Sequence, residues 1–287
     1  MLAKMLLPSL LVAATGFAAF ASPASAPASR GPASQRPHRI VSVNLCSDQL
    51  LLALGDRDQI AALSSNAAKP EMSAGAARTK GLRILSGSAE EVLALDPDLI
   101  IGTTKRRAPV LRGLKANSFR TLDVPPAESY AEIAGSIRMV AAGIGQAPRG
   151  EALIARMDGE LAGLAKVPNA GVAAYYQRRG FMTGTGTLVD ELMRRVGLVN
   201  LAGRLGKSAL AQVSLEEMVA AEPDYLIVES ATDRVTDLGT EMLHHPALAG
   251  MKRISIPQAW TVCGGPAYVL AARAMVAQMG RQRLSVN

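Results

Sequence analysis

Ser88-Ala-Glu-Glu-Val-Leu-Ala-Leu-Asp-Pro-Asp-Leu-Ile-Ile101 recurs 126 residues later, without a gap, as Ser214-Leu-Glu-Glu-Met-Val-Ala-Ala-Glu-Pro-Asp-Tyr-Leu-Ile227. Each copy opens with Ser-x-x-Glu. Ser88 and Ser214 are thereby placed to accept from the N3 amide while Glu91 and Glu217 reach back, which is a capping box and a helix start. Pro97 and Pro223 stop the helix after two turns, because the residue before a proline is pushed out of the αR region. An apolar run of strand length follows. Serine, both glutamates, Pro-Asp and the apolar phase agree at one offset, the mark of a duplication. The chain therefore predicts two similar lobes, centred near residues 90 and 216.

Outward from each copy, strands alternate with helices. Arg39 to Val43 reads as a strand, Asp48 to Leu54 as an apolar helix ending at Gly55, and Asn44 to Ser47 as the loop between them. Ile60 to Leu63 and Thr121 to Val124 read as strands and Ala108 to Ala116 as a helix. Ser129 and Glu132 start a helix with Ile133, Ile137 and Val140 on one face. Pro148 at N1 leads a helix to about Ala165 whose stripe is Leu153, Met157, Leu161 and Leu164. At about 27 Å it reaches from one lobe to the other. Val172 to Tyr176, Leu188 to Val196, Arg253 to Ile256 and Pro266 to Met279 continue the alternation. The expected fold is α/β: two similar parallel-sheet lobes, residues 38–143 and 168–287, joined by one long helix over 146–167, with a ligand cleft between them.

Lys4, an apolar run from Met5 to Phe20 and small residues beyond it form a secretory signal peptide, ending at Ala21 or Ala26. The run is short of the about 20 apolar residues that span a membrane. Residues 22–37 have almost nothing to bury and read as a disordered lead-in. The expectation is a soluble, monomeric periplasmic protein without a stable membrane anchor; Cys46 lies too far from the signal to carry a lipid. The net charge of +7 falls to +6 once Lys4 leaves. With 3% aromatics and no Lys/Arg run beyond Lys105-Arg-Arg107, nucleic acid is not an expected partner.

Motifs for chemistry are missing. Gly206-Lys-Ser208 has Leu201 where a phosphate loop needs glycine, and Gly184-Thr-Gly186 lacks the third glycine and the acidic residue of a dinucleotide fold. The histidines are His38 and the adjacent His244-His245, with no partner at metal-ligand spacing. No catalytic residue, resident metal or cofactor is expected.

Over residues 38–282 the chain resembles the helix-hinged (class III) periplasmic substrate-binding proteins of ABC importers, those for ferric siderophores, haem and cobalamin. The resemblance rests on Arg39-Ile-Val-Ser-Val43, the two Glu-x6-Pro-Asp segments, Tyr176-Gln-Arg-Arg-Gly180 and Trp260-Thr-Val-Cys-Gly-Gly-Pro266. It implies a receptor for an iron-siderophore, haem or corrinoid chelate, with the glutamate seven before each repeat proline, Glu90 and Glu216, docking on the ABC permease. Alternatives are a receptor for a free metal ion and an exported two-lobed α/β enzyme acting without a permease. The chain departs from cobalamin-binding relatives, which surround the corrin ring with aromatics. Before the first repeat helix stand Ile84 and Leu85, and only Tyr176, Phe181 and Trp260 are available.

Ligands of open α/β sheets sit beyond the carboxyl ends of the strands, so the cleft is expected at Asn44 to Ser47, Gly102 to Arg107, Gln177 to Gly180 and Trp260 to Gly264. The expected ligand-binding residues are Asn44, Cys46, Ser47, Lys105, Arg106, Tyr176, Arg178, Arg179, Trp260 and Cys263. Their arginines suit an anionic chelate, although Lys105 to Arg107 fit a solvated basic surface equally well. Cys46 and Cys263 fall in loops expected to face each other. A disulfide, a thiol pair facing the ligand or its metal, and two unrelated thiols are all open readings.

Overall fold

The computed structural model describes residues 36–102, 119–165, 167 and 170–284. The expected signal peptide, the lead-in up to Gln35, and the helix and cations at 103–118 lie outside them. In chain order the elements are β1 (Ile40–Ser42), α1 (Leu45–Leu54), β2 (Ile60–Ala62), α2 (Ala89–Ala94), β3 (Leu99–Gly102), β4 (Thr121–Asp123), α3 (Tyr130–Gly143) and α4 (Ala147–Ala162). There follow β5 (Gly171–Tyr175), β6 (Phe181–Thr183), α5 (Leu188–Arg195), β7 (Leu198–Asn200), α6 (Leu201–Arg204), β8 (Leu210–Gln212), α7 (Leu215–Ala221), β9 (Tyr225–Glu229), α8 (Leu238–Glu241), β10 (Lys252–Ile256) and α9 (Tyr268–Leu284).

Two parallel sheets carry the fold, ordered β2-β1-β3-β4 and β10-β9-β5-β7. Reading the second backwards, β7, β5, β9 and β10 stand where β2, β1, β3 and β4 stand in the first, so the two lobes share one topology. In each lobe the strand after the repeat helix pairs with the lobe's first strand: Ile40 opposes Leu99, and Ala173 opposes Tyr225. Leu99 and Tyr225 are the same position of the repeat.

The repeat's Pro-Asp explains that pairing. The Asp98 carboxylate accepts from the backbone N–H of His38 at 2.6 Å and Arg39 at 2.9 Å, at the start of β1. Asp224 accepts from Val172 N–H at 2.7 Å, in β5. The residues before the prolines, Asp96 and Glu222, both turn left-handed, with φ of 41° and 43°. A non-glycine residue enters that region at a cost of about 1 kcal/mol, and here proline has closed αR to it.

Ser88 and Ser214 cap their helices as expected, accepting from Glu91 N–H at 3.2 Å and Glu217 N–H at 3.1 Å. The reciprocal half of each box is different. Glu91 overshoots the cap to accept from the amide and hydroxyl of Ser86, both at 2.7 Å, whereas Glu217 pairs with Lys207 at 3.0 Å.

The helix α4 begins at Ala147, one residue before the expected start, with Pro148 at N2, and stops at Ala162, short of the expected Ala165, where Gly163 supplies its C-cap. Its Leu153, Ile154 and Met157 are buried in an apolar cluster that runs through both lobes, from Ile40, Leu51 and Ile133 to Leu192, Ile254 and Met275. The outer face of each sheet has its own smaller cluster, around Val41, Val92 and Ile100 in the first lobe and around Tyr176, Met218 and Val228 in the second.

Beyond α4, the lobes meet along a seam. Cys46 and Cys263 are joined by a disulfide with Cα atoms 5.3 Å apart. The adjacent Gly264 has no room for a side chain: a Cβ there would lie 2.6 Å from the Cβ of Ala127. Glu128 accepts from Leu188 N–H at the start of α5, at 3.0 Å. The rings of Tyr130 and Tyr268 lie 5.6 Å apart, with the Arg195 guanidinium 4.9 Å and 5.7 Å from their centroids.

The disulfide joins residues 217 apart in sequence, and closing so long a loop restricts the unfolded chain by on the order of 5 kcal/mol in the chain-entropy description. Replacing both cysteines by serine is expected to lower the unfolding free energy by about 2–5 kcal/mol, measured by urea denaturation without reductant. A change below about 1 kcal/mol would contradict a bond formed in the native protein.

Candidate ligand cleft

The strand order places the reversal of winding between β1 and β3 in one sheet and between β5 and β9 in the other, and crevices open at the carboxyl ends of such strand pairs. Cavities lie at the β5–β9 end and beside it. One of about 210 Å³ has Tyr175, Gln177, Glu229 and Thr261 of the second lobe among its walls, with Glu128 of the first. A smaller one of about 80 Å³ adjoins it at Glu128, Leu188, Thr261 and Val262 and has Cys46 and Cys263 in its wall. A third, of about 450 Å³, lies between residues 68–77 and the segment carrying Pro257 and Trp260. A separate cavity of about 230 Å³ touches α1, α4 and α9 but no strand end.

The second-lobe wall is made by alternation. Successive side chains of a strand point to opposite faces, so Val172, Ala174 and Tyr176 enter the outer cluster while Ala173 and Tyr175 face the interlobe side. The Tyr175 hydroxyl meets Thr261 Oγ1 at 3.1 Å. Gln177, just past β5, donates to Glu229 Oε1 at the end of β9, at 3.2 Å, which bridges the two strands at the switch point. Thr183 Oγ1 donates to the side-chain oxygen of Gln177, Oε1, at 3.4 Å. Burial, with a smaller contribution from the Glu229 charge, holds the Tyr175 phenol well above its usual range, so it remains a donor.

On the first-lobe side α1 starts earlier than expected. The Asn44 side chain caps it by accepting from Ser47 N–H at 2.9 Å, so Cys46 and Ser47 stand in the first helical turn rather than in a loop. One turn in, Asp48 is fully buried and accepts from the amide of Ser64 at 3.0 Å and from its hydroxyl. Burial pushes its carboxyl up from 3.8 to about 6, against the opposing hydrogen bonds from Ser42 and Ser64.

Residues 40–254 match the family described as periplasmic binding protein. The chain belongs to that family. Among its relatives, a cobalamin-binding protein of Halobacterium salinarum is 23% identical over 205 residues, covering 69% of this chain and 56% of that protein. The chain thus spans little more than half the length of this curated relative. Of solved structures, the periplasmic haem-binding protein RhuT from Roseiflexus sp. RS-1, in apo form, superimposes with a TM-score of 0.66 at 26% identity, over 84% of this chain and 97% of that one. A possible iron-binding, periplasmic solute-binding protein from Staphylococcus epidermidis gives 0.68 at 17% identity, over 85% and 99%.

The structure of this periplasmic binding protein redistributes the expected cleft residues. Cys46 and Cys263 line the smaller cavity as a disulfide and offer no thiol to a ligand. Trp260 is half-buried on the third cavity. Ser47 is wholly buried and lines none of the strand-end cavities. Tyr176 is a correction: its ring is buried in the outer cluster and its hydroxyl donates to the Val213 carbonyl at 3.0 Å, because it is one residue out of phase with the cleft face. Arg178 and Arg179 stand away from these cavities. Both are exposed and line none of the three strand-end cavities; Arg178 pairs with Asp237, and the carbonyl of Arg179 accepts from Gln212. Lys105 and Arg106 lie outside the described residues. Tyr175, Glu128, Glu229 and Thr261, which line the central cavity, are not among the expected residues. Counting the strand alternation forward from Val172, on the outer face, puts Tyr175 on the cleft face, but no local signal marks the two glutamates or Thr261.

The raised Asp48 carboxyl sets a pH dependence. Its folded value lies above its unfolded one, so between about pH 4 and 6 the folded protein holds more of a proton than the unfolded chain. Stability therefore falls as pH rises through that window and levels above it. Relative to Asp48→Asn, which does not titrate, the wild type is expected to lose about 2.5 kcal/mol of unfolding free energy between pH 4 and 7.5, by urea denaturation. A pH-independent difference would exclude the buried acid.

Proposed function

We propose that this chain is the solute receptor of an ABC importer: exported to the periplasm through a cleaved signal peptide, it captures a metal chelate of the iron-siderophore, haem or corrinoid kind between its lobes and hands it to the permease. It performs no chemistry on its cargo. Family membership and a cavity at the β5–β9 switch point, walled on its other side by Glu128 of the first lobe, support the capture. The observation that carries the hand-over is the matched position of Glu90 and Glu216. Both stand at N2 of the repeat helices α2 and α7, both are exposed, and neither has an ion-pair partner among the described residues. Hydrogen bonds from its own amide and from Ser214 keep the Glu216 carboxyl below its usual range, so it presents a full negative charge at neutral pH.

Glutamates in a first helical turn also complement the helix dipole, for about 0.3–1 kcal/mol each, and that effect operates in each lobe separately. Docking on a permease needs both. Reversing the charges, Glu90→Lys with Glu216→Lys, is expected to abolish chelate uptake in cells while leaving the affinity of the purified protein unchanged. Uptake at the wild-type rate would overturn the docking role.

Capture is tested by quenching of Trp260, the only tryptophan in the sequence, during titration with ferric siderophores, haem, cobalamin and cobinamide. Submicromolar quenching by one of them is expected. A flat response from folded protein to all of them would sink the chelate reading in favour of another ligand or an enzyme.

A further inference from the structure

Among the described residues, the cleft walls carry acidic groups and not the arginines Arg178 and Arg179 expected there. Among the described residues, no lysine, arginine or histidine lines any of the three strand-end cavities. The chemistry of the central one is instead neutral or acidic: Tyr175, Gln177, Gln258 and Thr261 beside Glu128 and Glu229. Arg178 and Arg179, expected in the cleft, lie on the exposed surface past β5, and Arg178 is already paired with Asp237.

Both glutamates are fixed in place by groups that accept no charge from them. Glu229 is 8% exposed and takes one amide hydrogen bond from Gln177 on Oε1; Oε2 has no partner among the described residues. Glu128 takes the Leu188 N–H on Oε2 and is likewise without a partner on Oε1. A ligand entering between the lobes therefore meets two carboxylates with acceptor capacity to spare, at a site partly shielded from water. There, charge interactions are stronger than in bulk solvent.

Resting on the reading of this protein as a chelate receptor, we propose that the cleft selects metal chelates that are neutral or cationic and present N–H donors, such as carboxamide-bearing macrocycles or amide-rich hydroxamates, and discriminates against polyanionic chelates. Glu229 is the principal residue of that discrimination and Glu128 its partner at the rim. Carboxamide N–H groups satisfy the open oxygens of the glutamates and the side-chain carbonyl of Gln258. Carboxylate or catecholate edges leave these acceptors unpaired and set like charges against each other, and such a mismatch is an effective way to reject a competing ligand.

The test is a set of calorimetric and Trp260 fluorescence titrations of the mature protein, at low and high salt. Cyanocobalamin, cobinamide, ferrichrome and ferrioxamine B serve as neutral or cationic probes, and haem and ferric enterobactin as anionic ones. The tightest neutral or cationic probe is expected to bind at least roughly tenfold more tightly than either anionic one, with the gap narrowing as salt rises. Glu229→Gln, which keeps the shape of the side chain, is expected to reduce that ratio by roughly fivefold or more. Glu128→Gln, at the exposed rim, is expected to reduce it less, and guards against a folding defect in the first variant. An anionic chelate binding tightest, or a ratio unmoved by both variants, overturns the charge rule while the receptor reading stands. Failure of every probe to bind folded wild-type protein overturns both.

Discussion

The carboxylate of the repeat's Pro-Asp, held on the N–H groups that open each lobe's first strand, is the contact on which the architecture depends. Asp98 and Asp224 lie at the junction where a short helix ends, a left-handed residue turns the chain and the next strand begins. Clamping that junction to β1 or β5 fixes which strands pair and in what register. A slip of one residue would exchange the buried and exposed faces of every strand involved. The same pairing puts the reversal of winding, and with it the crevice, between β1 and β3 and between β5 and β9. The duplicated stretch thus builds each lobe and locates its half of the cleft.

Two such lobes on one helix need not hold a fixed angle, but several contacts of different kinds restrain this pair. Apolar side chains of α4 join a core that continues into both lobes, the disulfide crosses at the strand ends, Gly264 brings the backbones together at Ala127, and Arg195 lies over Tyr130 and Tyr268. Because these lie on several elements, large separation of the lobes would break covalent, apolar and polar contacts together. A cleft held in this way is largely preformed, which reduces the ordering cost of taking up a rigid ligand.

The polarity of the cleft follows from how it is assembled. Its acidic groups come from the segment before α3 and from the end of β9, regions that share no sequence pattern. Its tyrosine comes from a strand whose alternation puts one of two adjacent tyrosines in the core and the other in the cleft. The conspicuous Arg178-Arg179 pair faces solvent because the chain turns at Arg179, with φ of 59°, toward the small β6-β8 sheet instead of continuing along β5.

The sequence by itself determined the duplication, the α/β alternation, the capped repeat helices and the long helix between lobes. All of these are written in local signals: a serine three residues before a glutamate, a proline two turns on, an apolar stripe at helical spacing. It also put Glu90 and Glu216 at N2, since position in a helix follows from its cap. Only the tertiary structure decided that Cys46 reaches Cys263, that Tyr175 rather than Tyr176 looks into the cleft, and that Glu128 and Glu229 share its walls with no described cation. Each depends on which segments the two sheets bring together from far apart in the chain, and neither composition nor periodicity carries that information.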